Sequence, residues 1–439
     1  MIDIKFIREN KDIVEAGAKK KHVDIDIDAL ITLDDERLKL LKEIEELRTE
    51  VNKVSLNISR NQDPALKLQI IEEMRIVKED LKNKEEKLKN LIHEWQKIML
   101  TIPNIPSVDT PLGEDENSNQ VVRTWGEKPN FNFTPKEHYD IGSELGLIDT
   151  ETAGEVSGSR YAYLKDDLVL MQFALINMCY EILTNVETLQ TILNQKNLSL
   201  NPKAFVPVIP PVFIRPNVQL KMARLMKPED HYMFPNDDLM LIGSAEHTLG
   251  SMHMDKIFNE EDLPLRYAGY STAFRREAGA AGKDTNGILR QHQFDKLEME
   301  VFSLPENSRE EQEFLVGIQE HILQKLNLPY QVISVCTGDM GFPDSRQIDI
   351  ETWMPGQNKY RETHSADLTG GFQSRRLNTR VRRKDGKIDH VHMNDATVLA
   401  IGRALIAIIE NYQQEDGSIK IPEALRVYMG GKEYIGKKS

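Results

Sequence analysis

Residues 274–301 read FRREAGAAGKDTNGILRQHQFDKLEMEV, from Phe274 to Val301, and their alternation of charged, aromatic and apolar side chains decides the fold. From Leu289 onward the even positions Arg290, His292, Phe294, Lys296, Glu298 and Glu300 share one face of an extended strand. Leu289, Leu297, Met299 and Val301 share the other. Such a strand sits on a core by its apolar face and lines a polar site with the opposite one. Arg275 and Glu277, also two apart, precede the glycine-rich stretch Gly279 to Gly287, which lets the two segments pair as a hairpin. These glycines do not form a Walker loop, because GxxxxGK[ST] requires glycine at 277 and Ser or Thr at 284, where the chain has Glu277 and Asp284. A solvated charged hairpin is the plain alternative, and Phe294 within a one-sided array argues against it.

Outward from this stretch, 439 residues with 40% hydrophobic content suffice for two to three domains with a sizeable core. No run of roughly 18 uninterrupted apolar residues is present, and the opening MIDIKFIREN lacks an apolar signal region. The expectation is a cytoplasmic protein with no membrane partner. Cys179 and Cys336 belong to no CxxC or Cys/His cluster, so buried free thiols are expected rather than a zinc site or a disulfide. A net charge of −14 argues against indiscriminate adhesion to nucleic acid; no DNA partner is expected, while a local basic patch can still grip a specific RNA.

Between Leu33 and Ile58 apolar residues recur at 40, 44, 47, 51, 54 and 58, and a second run follows at 70, 74, 77, 81, 88, 91, 95 and 98, with Lys84 on its seam. Steps of three and four describe a coiled-coil seam. Pro64 between the runs is tolerated in the first turn of a new helix and not in an interior. The spacing therefore predicts an antiparallel helical hairpin, an arm of about 45 Å at 1.5 Å per residue. The first 28 residues form a small helical start at its base. Charged helix faces are by default solvated; Lys53, Arg60 and Lys67 near the tip are the candidates for RNA contact. The expected organisation is an N-terminal domain over 1–105 with the arm at about 30–100, a proline-rich acidic linker over 106–117, and a body over 118–439. β-rich runs in that body, such as Ala204 to Ile214, Tyr330 to Cys336 and Gln347 to Trp353, alternate with helical stretches. They predict an α+β fold on a mostly antiparallel sheet.

Several motifs together resemble the class II aminoacyl-tRNA synthetases, and within them the seryl-tRNA synthetase family, over essentially the whole chain. FRREAG, GKDTNG and RQHQFDKLEME match the family's motif 2, and PVIPPVF ending on Pro211 resembles motif 1. GSRYAYL (Gly158 to Leu164), GSAEHTLG (Gly243 to Gly250), YRETHS (Tyr360 to Ser365), GFQSRR (Gly371 to Arg376) and IGRALIAIIENYQ (Ile401 to Gln413) occur in the family's order. The resemblance implies a class II antiparallel sheet with flanking helices behind a coiled-coil arm. It implies activation of L-serine by ATP to seryl-adenylate and transfer to the terminal ribose of tRNA(Ser), with magnesium. It also implies a homodimer through motif 1, with the arm directed at the tRNA.

By the same resemblance Arg275, Arg290, Glu362 and Arg403 are the catalytic set. Arg275 holds the α-phosphate and the serine carboxylate, Glu277 reads the adenine amino group, Phe294 stacks on adenine, and Gln291 meets it through its backbone. Arg290 and Arg403 meet the phosphates, with Arg403 also on the other side of adenine; Arg276 belongs to the ATP set, and Thr363 and His364 touch ATP through the backbone. Glu362 and Ser365 match the magnesium ligands, oxygen donors that suit a hard cation. Ser244, Ala245, Glu246, Arg275, Glu298 and Thr397 match the serine pocket. A pocket that hydrogen-bonds a substrate hydroxyl rejects an analogue lacking it by roughly 10⁴-fold, so alanine is expected to be excluded. Independently of the resemblance, Arg403 is the sole charge in VLAIGRALIAII (Val398 to Ile409). A guanidinium buried there needs an anion, either a ligand or a protein carboxylate.

The chain departs from the family pattern at Ser244 (usually threonine), His364 (usually serine), Gly371 (often aspartate) and Asp395 (asparagine), around the serine and ATP subsites. Asp395 is expected either to cap the following helix or to re-tune the pocket. Two other readings remain at this stage: an amino-acid:carrier-protein ligase, which lacks the arm, and a non-catalytic tRNA-binding or regulatory paralogue, which need not keep the charged residues.

Overall fold

A computed structural model describes residues 1–60, 63–278, 284 and 286–436, without the side chains of 56–60, 64, 66 and 67. It divides into two compact units, Met1–Pro103 and Asn104–Ser439.

In the first unit, helices α1 (Ile27–Arg60) and α2 (Pro64–Thr101) form the hairpin. Asp63 ends the turn by accepting a hydrogen bond from the Ala65 amide at 2.9 Å, with Pro64 in the first helical turn. Leu40, Ile44, Met74 and Met99 are buried between the helices. Lys84 reaches across the seam to Glu43 at 2.5 Å, and Arg48 meets Glu85 at 2.7 Å, so the polar interruption is matched rather than buried alone. Two short helices, Ile4–Glu9 and Lys11–Lys20, pack at the base through Ile7, Val14 and Ala18, pinned by Arg8 to Asp34 at 3.1 Å and Lys11 to Asp28 at 2.6 Å. Lys53 is exposed; the side chains of Arg60 and Lys67 lie outside the described residues.

In the second unit eight strands form one sheet: β1 (Gln120–Trp125), β2 (Val206–Val208), β3 (Leu265–Phe274), β4 (Gln293–Ser303), β5 (Tyr330–Ser334), β6 (Arg346–Met354), β7 (Lys359–Gly370) and β8 (His392–Ala400). Their spatial order is β1-β5-β6-β7-β8-β4-β3-β2. Every neighbouring pair is antiparallel except β2 with β3. Helices α3 (Asp167–Thr184), α4 (Glu246–Ser251), α5 (Ser308–Lys325) and α6 (Ile401–Asn411) flank it. Leu297, Met299 and Val301 of β4 join Leu175 of α3, Phe314 of α5 and Ile406 of α6 in the main core, as the alternation of the sequence requires.

Among the described residues α3 is the one helix long and apolar enough to cross a membrane. More than half of it is buried in this core. Cys179 on α3 and Cys336 are buried free thiols, and burial pushes Cys179 up to about 12. The stretch 106–117 is tied to the second unit: the Ser107 amide donates to Ser345 O at 2.7 Å, and the Thr337 and Gly338 amides donate to Pro111 O and Gly113 O.

Candidate active site on the polar face of the sheet

Phe294 and Lys296 of β4 line an open cleft, and Glu298 and Glu300 lie beneath it at 1% exposure each. The period-two reading holds from Gln293 onward and fails before it. Leu289, Arg290 and Gln291 all face the cleft, whereas His292 turns away and donates from Nδ1 to Arg275 O at 3.0 Å, with Tyr161 and Tyr232 against its ring. Residues 288–292 precede the regular strand, so no pleat assigns their sides. Buried His138 holds this turn: its Nε2 accepts from the Ile288 amide at 3.2 Å, which leaves Nδ1–H to donate to Glu410 at 3.2 Å. Gly287 adopts φ +65°, and a Cβ there would lie 2.1 Å from His138 Nε2.

Arg275 follows the end of β3, adds one more rung by donating its amide to His292 O at 3.0 Å, and sets its guanidinium 5.4 Å from the centre of the Phe294 ring. Its Nε donates to Gly243 O at 3.0 Å. Glu277 has left the strand with φ +52° and turns back to pair with Arg290 at 2.5 Å. Arg276 is exposed against Tyr232, outside the cleft lining. Residues 279–283 and 285 of the glycine-rich loop lie outside the described residues. Asp284 meets Arg361 at 2.5 Å.

On β7 the register against β6 slips between Ile350 and Glu351, so Ile350 faces His364 and Glu351 faces Glu362. One extra residue in a strand breaks its alternation. Glu362 and Ser365, three apart and therefore on opposite faces of a regular strand, both reach the cleft side. Glu362 lines the cleft, and Ser365 Oγ lies 3.4 Å from Thr397 Oγ1, itself a lining residue. Thr363 Oγ1 points the other way, to Thr352 Oγ1 at 2.7 Å and His364 Nδ1 at 2.8 Å. His364 is buried, outside the cleft lining, and burial lowers it to about 3.

Arg403, expected inside an apolar helix, instead opens α6 at the cleft mouth with its side chain 32% exposed. It donates to Glu362 O at 2.7 Å and lies 3.3 Å from Glu362 Oε2, so the protein carboxylate is its partner here. Gly402 and Arg403 lie on the rim, while Ile401 and the run from Ala404 to Glu410 are buried. Glu362 is exposed to cleft solvent yet walled by protein. The burial that pushes it up is outweighed by Arg403, Lys296 and Arg275, and it stays below the ordinary carboxylate range.

The second half of the site lies beneath β4 and the loop before α4. Ser244 Oγ donates to Glu298 Oε1 at 2.9 Å, with Glu246 Oε2 at 3.5 Å. Lys296 Nζ is in direct contact with Glu298 Oε1. Ala245 is fully buried beside Ser244. Thr397 stands opposite Glu298 in the ladder, where β8 also slips by one residue. Burial raises Glu298 even against Lys296. Asp395, expected to cap the following helix or to re-tune the pocket, is no cap: it is in the middle of β8, six residues before α6, and Ala400 occupies the cap position. It is paired with Glu300 on β4 and Asp367 on β7, so three acids stand side by side across three strands.

His247, next to Glu246, accepts at Nδ1 from Gln219 Nε2 at 2.8 Å and from the Gly243 amide at 3.2 Å, and burial lowers it to about 3 from an ordinary 6.5. The folded state thus binds fewer protons than the unfolded one, so the stability owed to this group is complete above about pH 6.5 and lost as pH falls from there toward 3. His247→Asn, which keeps an acceptor and does not titrate, should gain on the parent by about 1.4 kcal/mol per pH unit between pH 6 and 4 in paired denaturant titrations. Parallel stability curves for the two proteins would show that His247 is protonated in the fold.

Sequence reasoning had placed Lys296 on the polar face without a role. Glu300 was placed there in the same way, whereas His138, Asp367 and Arg224, whose side chains are brought in from distant segments, were passed over. Only the alternation signalled Lys296 and Glu300; nothing local signals the others.

With the geometry established, the chain was compared with known proteins. The "Seryl-tRNA synthetase N-terminal domain" family matches residues 1–106, and the "tRNA synthetase class II core domain (G, H, P, S and T)" family matches residues 232–412. The chain is 40% identical over 436 residues to the serine--tRNA ligase of Thermodesulfovibrio yellowstonii, covering 98% of this chain and 99% of that one. It is 42% identical over 439 residues to the serine--tRNA ligase of Bacillus cereus, covering 99% and 100%. It resembles the crystal structure of seryl-tRNA synthetase from Pyrococcus horikoshii complexed with ATP, with a TM-score of 0.86, 36% identity and full coverage of both chains. A Giardia lamblia prolyl-tRNA synthetase shares the fold alone, at 14% identity and a TM-score of 0.53 over 67% of this chain and 57% of that one. A helical arm ahead of a class II sheet, relatives aligned from end to end and both family matches agree: the chain belongs to the seryl-tRNA synthetase family.

Proposed function

We propose that the chain activates L-serine with ATP to seryl-adenylate and transfers the seryl group to the 3′-terminal ribose of tRNA(Ser), in the cytoplasm. One observation carries this reading. Among the described residues Arg275 has no carboxylate at ion-pair distance, and its guanidinium stands over Phe294 where the cleft meets the Ser244–Glu298 pocket. A cation walled into a site without an acid partner suits an anionic ligand.

Serine's carboxylate is ionised at neutral pH, so activation needs no general base. One carboxylate oxygen bonds to the α-phosphorus while the bond to the bridging oxygen breaks and pyrophosphate leaves with its electrons. Arg275 neutralises charge on the α-phosphate and aligns the carboxylate. Phe294 and Arg403 flank the adenine, Gln291 meets it through its backbone, Glu277 accepts from its amino group, and Arg290 takes the outer phosphates. Glu246 and Glu298 receive the ammonium and hydroxyl, with Thr397 beside them. Phe294 and Glu298 are about 13 Å apart along one strand face, a fitting distance between adenine and amino acid. His364 is buried outside the cleft lining, so its backbone is what it offers ATP, and Arg276 also stands outside that lining.

Among the described residues no cluster of three or more metal-ligating side chains is preassembled. Glu362 and Ser365 are nonetheless oxygen donors on one side of β7, and Glu362 is held in its charged form. They would hold magnesium, which would neutralise phosphate charge when bound. Exposed Val206, Ile209 and Phe213 in the motif 1 stretch support a homodimer through that surface.

Pyrophosphate exchange measured over serine, threonine, alanine, cysteine and glycine tests the proposal. Exchange with serine alone supports it, and exchange independent of serine sinks it. Deleting residues 33–98 should leave exchange intact and raise the KM for tRNA(Ser) by about 100-fold or more, the loss of a few kcal/mol of contact. Undiminished charging would remove the arm from tRNA recognition.

A further inference from the structure

The backbone turns sharply after the short helix Pro216–Lys221: Ala223 adopts φ +59°, and the next residue, Arg224, is sent inward. Its carbonyl is caught by Gln219 Nε2 at 3.3 Å and His231 Nε2 at 3.0 Å. The guanidinium lies at one end of the cross-strand row of acids. Nε is 2.8 Å from Glu246 Oε1, Nη2 is 3.1 Å from Asp395 and 3.4 Å from Asp367, and Asp344 follows at 3.9 Å. Glu300, opposite Asp395, is buried with neither oxygen hydrogen-bonded among the described residues.

Like charges directly opposite in a sheet repel, and a buried carboxylate is stable only when paired. One guanidinium cannot neutralise five acids, so most of the row stays protonated and the negative charge settles where the cation is closest. That place is Glu246. Its Oε1 is taken by Arg224 and its Oε2 is left toward Ser244, the direction from which a serine ammonium arrives. Burial alone would push Glu246 up; Arg224, with His247, Lys296 and Asp395, holds it at about 2, while burial and the neighbouring acids keep Asp395 and Glu300 well above the ordinary range. Across Ser244, Lys296 is in contact with Glu298, although burial still raises that carboxyl. Two cation–carboxylate pairs thus flank one hydroxyl.

We propose that Arg224 is a positioning residue for amino-acid binding: it touches no reacting atom, and it fixes the orientation and charge of Glu246 while seating Asp395 in the wall behind. This rests on Glu246 being the ammonium ligand. It also gives Asp395, one of the chain's departures from the family pattern, a structural partner.

The test compares Arg224→Lys and Arg224→Gln in serine-dependent pyrophosphate exchange on the full chain. Loss of the ion-pair contact to Glu246 should raise the serine KM about 10- to 100-fold in Arg224→Gln. The KM for ATP and kcat should shift far less, and Arg224→Lys should recover part of the serine KM, because one cation returns without the fork. A purely structural residue would lower apparent kcat in step with the folded fraction and leave both KM values in place. If Arg224→Gln does not fold, Arg224→Lys alone decides, since an unchanged serine KM in that variant overturns the proposal. Glu246→Gln separates the premise from the inference. If it leaves the serine KM unchanged while the Arg224 variants raise it, the reading of Glu246 has failed. If it raises the serine KM and the Arg224 variants do not, the inference about Arg224 has failed.

Discussion

Arg275→Ala is expected to lower serine-dependent pyrophosphate exchange by about 10³-fold, the cost of removing a preorganised donor aimed at developing charge. Stability should change by no more than about 0.5 kcal/mol, because the side chain is exposed to the cleft and anchors nothing in the core. Its one described hydrogen bond from the side chain goes to Gly243 O, so the folded protein loses little without substrate. Arg275→Lys should recover only a minor part of the activity, since a point charge does not reproduce a planar fork spanning phosphate and carboxylate. Single-turnover adenylate formation and a thermal melt together check this. A variant within tenfold of the parent would move the phosphate chemistry elsewhere in the cleft.

Glu298→Ala should be damaging in a different way. The carboxylate is 1% exposed, is in contact with Lys296 Nζ and accepts from Ser244 Oγ. Removing it strands a buried ammonium, which typically costs about 3–5 kcal/mol. Serine exchange should disappear along with the stability. The double variant Lys296→Met with Glu298→Leu separates the two effects, because an apolar pair of similar volume removes the uncompensated charge. It should regain most of the unfolding free energy in urea titrations and none of the serine exchange. Recovery of exchange by the double variant would rule out a substrate contact from Glu298.

These two residues also mark what was legible before the fold was known. Phe294, Lys296, Glu298 and Glu300 were placed on one face because a strand has a period of two, and Leu297, Met299 and Val301 occupy the core as that period demands. The arm was equally legible, since a three-four spacing specifies a seam whatever surrounds it. The same rule misplaced His292, because residues 288–292 are a turn held by His138 from 150 residues away. Arg403 was read as buried because its neighbours are apolar, whereas the first turn of α6 turns Gly402 and Arg403 toward the rim of the cleft while Ile401 points into the core.

Asp395 shows the limit most clearly. Its sequence context suggested a cap or a re-tuned pocket, and it is the central member of an acid row that exists only once β4, β7 and β8 are adjacent. Period and composition are properties of a segment and survive without the rest of the chain, which is why the arm, the sheet class and the polar strand could be read directly. Register slips, the partner of a buried charge and the side a turn residue faces depend on strands and loops far apart in sequence. Glu362 and Ser365 reach one side of β7 through a bulge, and Glu246 is kept charged by Arg224, because only packing decides which groups share a low-dielectric space.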